Sequence, residues 1–504
     1  MFDIKQVFTF IKKKFTSKDF LIILGLIILF FITRLVNLEK LPIFCDEGIY
    51  IHWAKIAWHD ASWRFISLTD GRQPLQTWAT IPFLKLFPQN ALLAGRLFSV
   101  ASGFAALSGI FVLLFYLFGK PAAYMGSFLY IITPFFLFYD RIALADSAVN
   151  TGFIWILFFS MLLINTLRID VALIFGMIAG LSMLTKSSVR VFLGLSLLAP
   201  ILLFGKKNKN FILKTVNYLL LFVMVSGLAM IIYNVQRLSP FMHYIEQKNN
   251  TFVMTFSDFM KSPFSVFWHN LKTIPYYVFS EIGWLLGFTG LIGFVVLIKK
   301  NWQLGLYLAF WLITSYMGIA LFSRVVFPRY LIFLATLFLI SSTYLIVSLK
   351  NKLIKKIILA VLIIISAFYA YSFYFNLNLI PFSAIDRGQY VEGETAGWGV
   401  KEIMQYARER SKEKQVVILA EGDFGLITDM LNVYLKDDDK ISLRGFWPLD
   451  EKTLIDNQKE LKENLVYVVF SQRKTFPEYW PINLIKEYDK PGGKAAYYLF
   501  ELTK

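Results

Sequence analysis

Hydrophobic positions in this chain fall in long blocks, not at strand spacing. A helix needs about 20 mostly apolar residues to cross a bilayer core. Runs approaching or exceeding that length recur at 20–37, 92–118, 121–138, 148–167, 171–184, 188–204, 213–233, 277–298, 303–322, 330–349 and 357–377. They predict eleven membrane spans, of which 171–184 and 188–204 are the shortest. Phe20 to Val36 lacks a small-residue cleavage site and reads as an uncleaved helix. Most links between runs are short; 38–91 and 234–276 are long.

Beyond residue 378 the pattern changes. Trp398 to Lys412 has the spacing of an amphipathic helix. Val416–Ala420 and Leu465–Ser471 read as buried strands, with helical runs at Gly425–Lys436 and Leu454–Glu463 between them. Ala495–Leu502 reads as a last strand after the turn Pro491-Gly492-Gly493. Strands alternating with helices predict a small α/β domain with a largely parallel sheet. It carries no G-x-G-x-x-G loop, so nucleotide binding is not expected. The expected organisation is a polytopic α-helical domain, 1–378, with a long loop 38–91, followed by an α/β domain, 379–504.

Composition agrees. Of 504 residues, 57% are hydrophobic and only 17% charged, and mean hydropathy is +0.57. A soluble chain carries about a quarter charged residues. The net charge of +17 would raise nucleic acid as a partner in a soluble protein. Here the lysines cluster between apolar runs, so they bear on topology, and no nucleic-acid partner is expected. The single cysteine, Cys45, excludes an internal disulfide framework.

Clusters of lysine set the orientation. They are Lys5, Lys12, Lys13, Lys14 and Lys18; Lys206, Lys207, Lys209 and Lys214; Lys299 and Lys300; and Lys350, Lys352, Lys355 and Lys356. With eleven spans all four fall on one side, expected to be the cytoplasm. The loop 38–91, the turns 140–150 and 185–190, the loop 234–276, the turn 323–330 and the α/β domain then share the external face.

Ionisable residues at a membrane are costly unless paired or functional, and this face collects them. Asp46 and Glu47 follow the first span; Asp46 would act as a base with Glu47 in support, or, on the plainer reading, Asp46 caps the run Tyr50–Trp58. Taken alone, the cap is the stronger reading. Arg72 in Gly71-Arg72-Gln73-Pro74-Leu75 offers a planar fork for phosphate, or a solvated loop charge. Arg141 and Asp146 close the third span and could pair with each other. Lys186, in Thr185-Lys186-Ser187-Ser188 with Arg190 close by, is a point charge for phosphate or a snorkelling lysine. Arg324, Arg329 and Tyr330 open the tenth span, where an interfacial anchor is the alternative. Two carboxylates and several cations at one surface suit transfer from an anionic phosphate leaving group: a carboxylate takes the acceptor's proton and the cations stabilise the departing phosphate.

At these residues the chain resembles the GT-C membrane glycosyltransferases of the protein O-mannosyltransferase and aminoarabinose-transferase type. The resemblance covers about residues 20–349 and rests on five motifs in order. Asp46-Glu47 matches an Asp-Glu pair in the first external loop. Gly71-Arg72-Gln73-Pro74-Leu75 matches a Gly-Lys-Pro-Pro-Leu-like segment, with Arg for Lys and Gln for the first Pro. Arg141, Leu144 and Asp146 match Arg-x-x-Leu-x-Asp. Thr185-Lys186 matches Thr-Lys-Gly, with Ser187 replacing Gly, and Pro328-Arg329-Tyr330 matches a Pro-Arg-Tyr opening of a late span. The resemblance implies a polyprenyl- or dolichyl-phosphate sugar as donor, a protein, glycan or lipid hydroxyl as acceptor, Asp46 as base, and inversion at the anomeric carbon.

Two other classes compete. A transporter or flippase would carry ionisable residues at the bilayer midplane on broken helices in inverted repeats; neither is evident. A receptor or scaffold would use the spans as an anchor only, and eleven exceed that need. Asp46, Glu47 and Asp146 are hard oxygen ligands that would suit Mg²⁺ or Mn²⁺. His52, His59, His243 and His269 lack ligand spacing.

Overall fold

The computed structural model describes residues 14–205 and 210–504. Lys5, Lys12, Lys13, Lys206, Lys207 and Lys209 of the expected cytoplasmic clusters lie outside the described residues.

The apolar blocks form helices. In chain order these are α1 (Ser17–Leu35), α2 (Cys45–His59), α3 (Leu75–Leu86), α4 (Ala91–Phe118), α5 (Lys120–Ile132), α6 (Pro134–Tyr139), α7 (Asp146–Thr166), α8 (Ile169–Met183) and α9 (Val189–Leu195). They continue as α10 (Phe211–Tyr233), α11 (Tyr244–Phe252), α12 (Phe256–Lys261), α13 (Phe267–Ile282), α14 (Trp284–Lys300), α15 (Trp302–Phe322), α16 (Ile332–Ser348) and α17 (Lys352–Tyr374). Among the described residues six helices are long and apolar enough to cross a membrane, or seven if the bent pair α13–α14 is one span. The protein is a multi-pass membrane protein.

The expected eleven spans are therefore not eleven long helices. The third, 121–138, breaks at Thr133, because Pro134 cannot donate to the helix ladder, and continues as α6. The eighth, 277–298, is two helices meeting at 112° at Gly283, whose φ of +85° only glycine adopts at low cost. The sixth, 188–204, is α9 followed by a 3-10 stretch Ser196–Leu203 containing Pro200. The first, α1, carries Lys18, Asp19 and Arg34 in its 19 residues. Asp19 binds Lys120 at 2.6 Å and Tyr124 at 2.7 Å. Arg34 binds Asp140 at 3.1 Å, and both are fully buried. Paired in this way, the charges tie α1 to the bundle.

The helices at the centre are α7 and α16, whose most apolar stretches are 78% and 83% buried, while those of α10 and α17 are 22% and 17% buried. The latter two leave most of their apolar surface for lipid.

The C-terminal residues form α18 (Ala384–Arg387), α19 (Val400–Arg410), α20 (Ile427–Tyr434) and α21 (Glu451–Asn457) around a five-stranded sheet. Its strands are β1 (Val416–Glu421), β2 (Ile441–Phe446), β3 (Leu465–Phe470), β4 (Ile482–Asp489) and β5 (Ala496–Leu502), in the order β2-β1-β3-β5-β4. Only β2, β1 and β3 are parallel; β5 and β4 join antiparallel. The largely parallel sheet expected is thus parallel in three strands of five. The pattern missed β2 and β4, which have no continuous apolar run; β4 exposes or half-exposes every residue.

Side chains alternate across β1. Val416, Ile418 and Ala420 belong to an apolar core continuous with that of the helix bundle, while Val417 and Leu419 pack in a second core on the other face. One face of the α/β domain is therefore docked on the membrane domain. The seam is α20 against α2. Phe44 bridges Ala396 in strand fashion. Lys55 donates to the carbonyls of Asn432 and Leu435 at 2.7 and 2.6 Å. His52 Nδ1 meets Asp429 Oδ1 at 2.6 Å.

Candidate active site

Helix α2 begins at Cys45, earlier than the run Tyr50–Trp58 suggested. Its first turn separates the two carboxylates. Glu47 is fully buried: it accepts from Phe44 N at 2.9 Å and Ala143 N at 2.7 Å, and from Arg96 Nε and Nη2 at 2.9 and 2.8 Å. Glu47, not Asp46, makes the helix cap. It has no free oxygen to support a base or hold a metal.

Asp46 takes the opposite role. Its Oδ1 accepts from Arg72 Nη2 and its Oδ2 from Arg329 Nη2, both at 3.0 Å. It lines a cavity of about 810 Å³. Burial pushes its carboxyl upward, but the charges of Arg72 and Arg329 outweigh that and hold it below the ordinary carboxylate range.

Each arginine is itself aimed. Arg72 Nε donates to Asp70 Oδ2 at 2.8 Å, so one planar fork spans two carboxylates from two separate nitrogens, where a lysine would offer one. Its guanidinium lies 5.2 Å from the Tyr50 ring centre. Burial pushes the Tyr50 hydroxyl up to about 12, which keeps it a donor. Lys248 of α11 closes on Asp70 at 2.8 Å. Gly71, at φ +66°, lets the loop pass α11: a Cβ there would lie 2.3 Å from the Tyr244 carbonyl oxygen. Arg329 Nη1 donates to Gln389 Oε1 and Tyr390 Oη, both at 3.1 Å. Tyr139 in turn donates to Asp386 at 2.8 Å. Asp386 is fully buried, and burial pushes its carboxyl up to about 7.

On the far wall Lys186 reaches Asp146 at 3.2 Å and sits 3.7 Å from the ring centre of Tyr330. Asp146, Lys186, Arg190, Arg329 and Tyr330 all line the cavity with Asp46 and Arg72. Arg190 stacks on Tyr233 at 4.2 Å. Two of the three departures from the motifs meet each other: Gln73 Nε2 donates to Ser187 Oγ at 2.6 Å. The remaining wall is apolar, from Val191 and Phe192 of α9 through Ile319 and Phe322 of α15 to Phe333 of α16.

Two expected members lie elsewhere. Arg141 does not pair with Asp146 and does not line this cavity. Its guanidinium donates to the carbonyls of Thr33, Arg34, Val36 and Asn37 at 2.9–3.0 Å, closing the end of α1. Arg324 turns outward to Asp258 at 2.7 Å. The metal set fails as well. Glu47 is occupied by Arg96 and cannot join Asp46 and Asp146, and among the described residues no three His, Cys, Asp or Glu side chains gather as ligands.

Sequence reasoning missed Lys248, Gln389 and Tyr390. Lys248 sits on the short helix α11 between two spans, and the other two follow the last span, with no local signal. The link from Asp429 to His52 is equally long-range, at 377 residues.

Fold and site together define a polytopic membrane protein with a mostly apolar cavity in which Arg72, Lys186, Arg190, Lys248 and Arg329 gather around Asp46 and Asp146. The family model described as dolichyl-phosphate-mannose-protein mannosyltransferase matches residues 72–233. The fold is similar to that of ArnT from Cupriavidus metallidurans bound to undecaprenyl phosphate, with TM-score 0.60 at 12% identity, covering 95% of this chain and 97% of that one. It is also similar to the oligosaccharyltransferase AglB from Archaeoglobus fulgidus in complex with an inhibitory peptide and a dolichol-phosphate, with TM-score 0.54 at 13% identity over 91% of this chain and 70% of that one. No curated protein matches by sequence. The chain shares the fold of these two structures.

Proposed function

We propose that this chain is a membrane glycosyltransferase that moves a hexosyl or pentosyl group from a polyprenyl- or dolichyl-phosphate donor to an acceptor hydroxyl. One observation carries the reading: Asp46 faces a mostly apolar cavity with one carboxylate oxygen on each of two arginines. The apolar wall suits a lipid chain, and Arg72, Arg329 and Lys186 suit its phosphate.

The chemistry follows. Asp46 accepts the acceptor hydroxyl's proton as the acceptor oxygen bonds to the anomeric carbon. The bond from that carbon to the phosphate oxygen breaks on the opposite side, and the phosphate leaves with the electron pair, which inverts the centre. Arg72, Arg329 and Lys186 balance the charge on the departing phosphate. A carboxylate held low by two arginines is a weak base. A phosphate that draws one arginine away frees a lone pair and raises Asp46 toward the working range, so donor binding itself would prime the base. The lysine clusters support an N-terminus in the cytoplasm, with the site and the C-terminal domain on the external face.

The test is incubation of the purified protein with a panel of polyprenyl-phosphate sugars, reading release of carrier phosphate. Asp46→Asn is expected to lower transfer by about 100-fold or more while the protein stays folded. Persistent transfer in that variant would sink the mechanism.

A further inference from the structure

The C-terminal domain presents a second recognition surface. In open α/β sheets ligands settle beyond the carboxyl ends of parallel strands. Here three such ends lie side by side, β2, β1 and β3. Their loops are held together. Gly422 N donates to the Phe446 carbonyl at 2.7 Å, and the Glu421 carboxylate accepts from Ser471 N and Gln472 N at 2.8 and 2.6 Å.

This edge carries two unusual kinds of group. The first is exposed aromatic surface: Trp447 after β2 is 62% exposed and Phe424 after β1 is 43% exposed. The second is polar side chains beside them: Asp423 after β1 is exposed, and Gln472 and Arg473 after β3 are half-exposed. An aromatic face with a few polar groups beside it is the chemistry that binds a sugar ring, whose C–H face is apolar and whose rim is hydroxyl.

The edge is also joined to the cavity. The Phe424 ring stacks on Trp53 of α2 at 5.8 Å. Arg72, which holds Asp46, lies 6.0 Å from that same Trp53 ring.

We propose that this edge is the acceptor platform and that the acceptor is a saccharide. Trp447 and Phe424 stack its rings, and the polar side chains beside them bind its hydroxyls. The inference rests on the transfer reaction proposed above for the hydroxyl it delivers.

The test is retention of the purified full-length protein on immobilised oligosaccharides, with neutral and amino-sugar termini, beside Ser- and Thr-bearing peptides. Saccharide retention is expected, weakened about tenfold or more by Trp447→Ala or Phe424→Ala and kept by Trp447→Tyr, which still offers a ring. Asp46→Asn should retain saccharide fully. Donor cleavage by water, read as carrier phosphate released without acceptor, reports on the transfer reading separately and should fall in Asp46→Asn. Retention of peptides alone, or saccharide retention indifferent to both aromatic variants, overturns the proposal. Loss of donor cleavage in Asp46→Asn together with failed saccharide retention would overturn the platform and leave the transfer reading standing.

Discussion

Asp46 illustrates how far a residue's chemistry depends on what reaches it from a distance. Its partners come from positions 72 and 329, and the latter is steered by Tyr390. Asp46 works ionised, so transfer should fall as pH drops through its carboxyl pKa. That acid limb should lie below the ordinary carboxylate range in the free protein, and move upward in Tyr390→Phe, where Arg329 is less firmly aimed. A pH–rate profile identical in the two proteins would refute the steering role. The Gln73–Ser187 contact makes a second residue-scale prediction. If these two departures from the family pattern compensate each other, Gln73→Ala and Ser187→Ala should be coupled by about 0.5–1.5 kcal/mol in stability. A double-mutant cycle measures this, and additive effects would reject the pairing.

Elements place these residues through a few positions that tolerate little change. Gly71 is required twice, by its φ of +66° and by the Tyr244 carbonyl beside it. Gly71→Ala should therefore destabilise the loop by about 1–3 kcal/mol and depress transfer, readable by thermal unfolding and carrier release together. The first turn of α2 depends on the buried pair of Glu47 and Arg96. Arg96→Met leaves a buried carboxylate uncompensated and should cost about 3–5 kcal/mol. A melting temperature within error of the parent's would show that the pair is dispensable. Breaks matter as much as helices: Pro134 and Gly283 each turn an apolar block that the hydropathy pattern reads as one straight span.

At the scale of the molecule, the α/β domain is part of the site's scaffold rather than an appendage. It packs α20 on α2, shares an apolar core with the bundle, and its approach segment supplies Gln389 and Tyr390. The His52–Asp429 contact is one bond in that seam, and Asp429 is nearly buried. Removing His52 leaves a buried acceptor short of a partner, at about 1–3 kcal/mol. His52→Ala should speed proteolytic cutting between residues 375 and 398 by roughly fivefold or more and lower transfer with it. An unchanged cutting rate would show that the seam does not rely on this contact.

The sequence alone determined the membrane class, the order of helices, the α/β tail, and the set of Asp46, Arg72, Asp146, Lys186, Arg329 and Tyr330 that does line the cavity. These were legible because apolar blocks of bilayer length and charges at their ends are local signals. Only the tertiary structure decided which charges face the cavity. Arg141, Arg324 and Glu47 carry the same local signal as their neighbours, yet they cap α1, turn to Asp258 and bury against Arg96. Direction is set by where a side chain's partner sits, often a hundred residues or more along the chain, and no local pattern encodes that. The same reason hid Lys248, Gln389 and Tyr390, and made Asp46, read locally as a helix cap, a carboxylate held open to the cavity between two arginines.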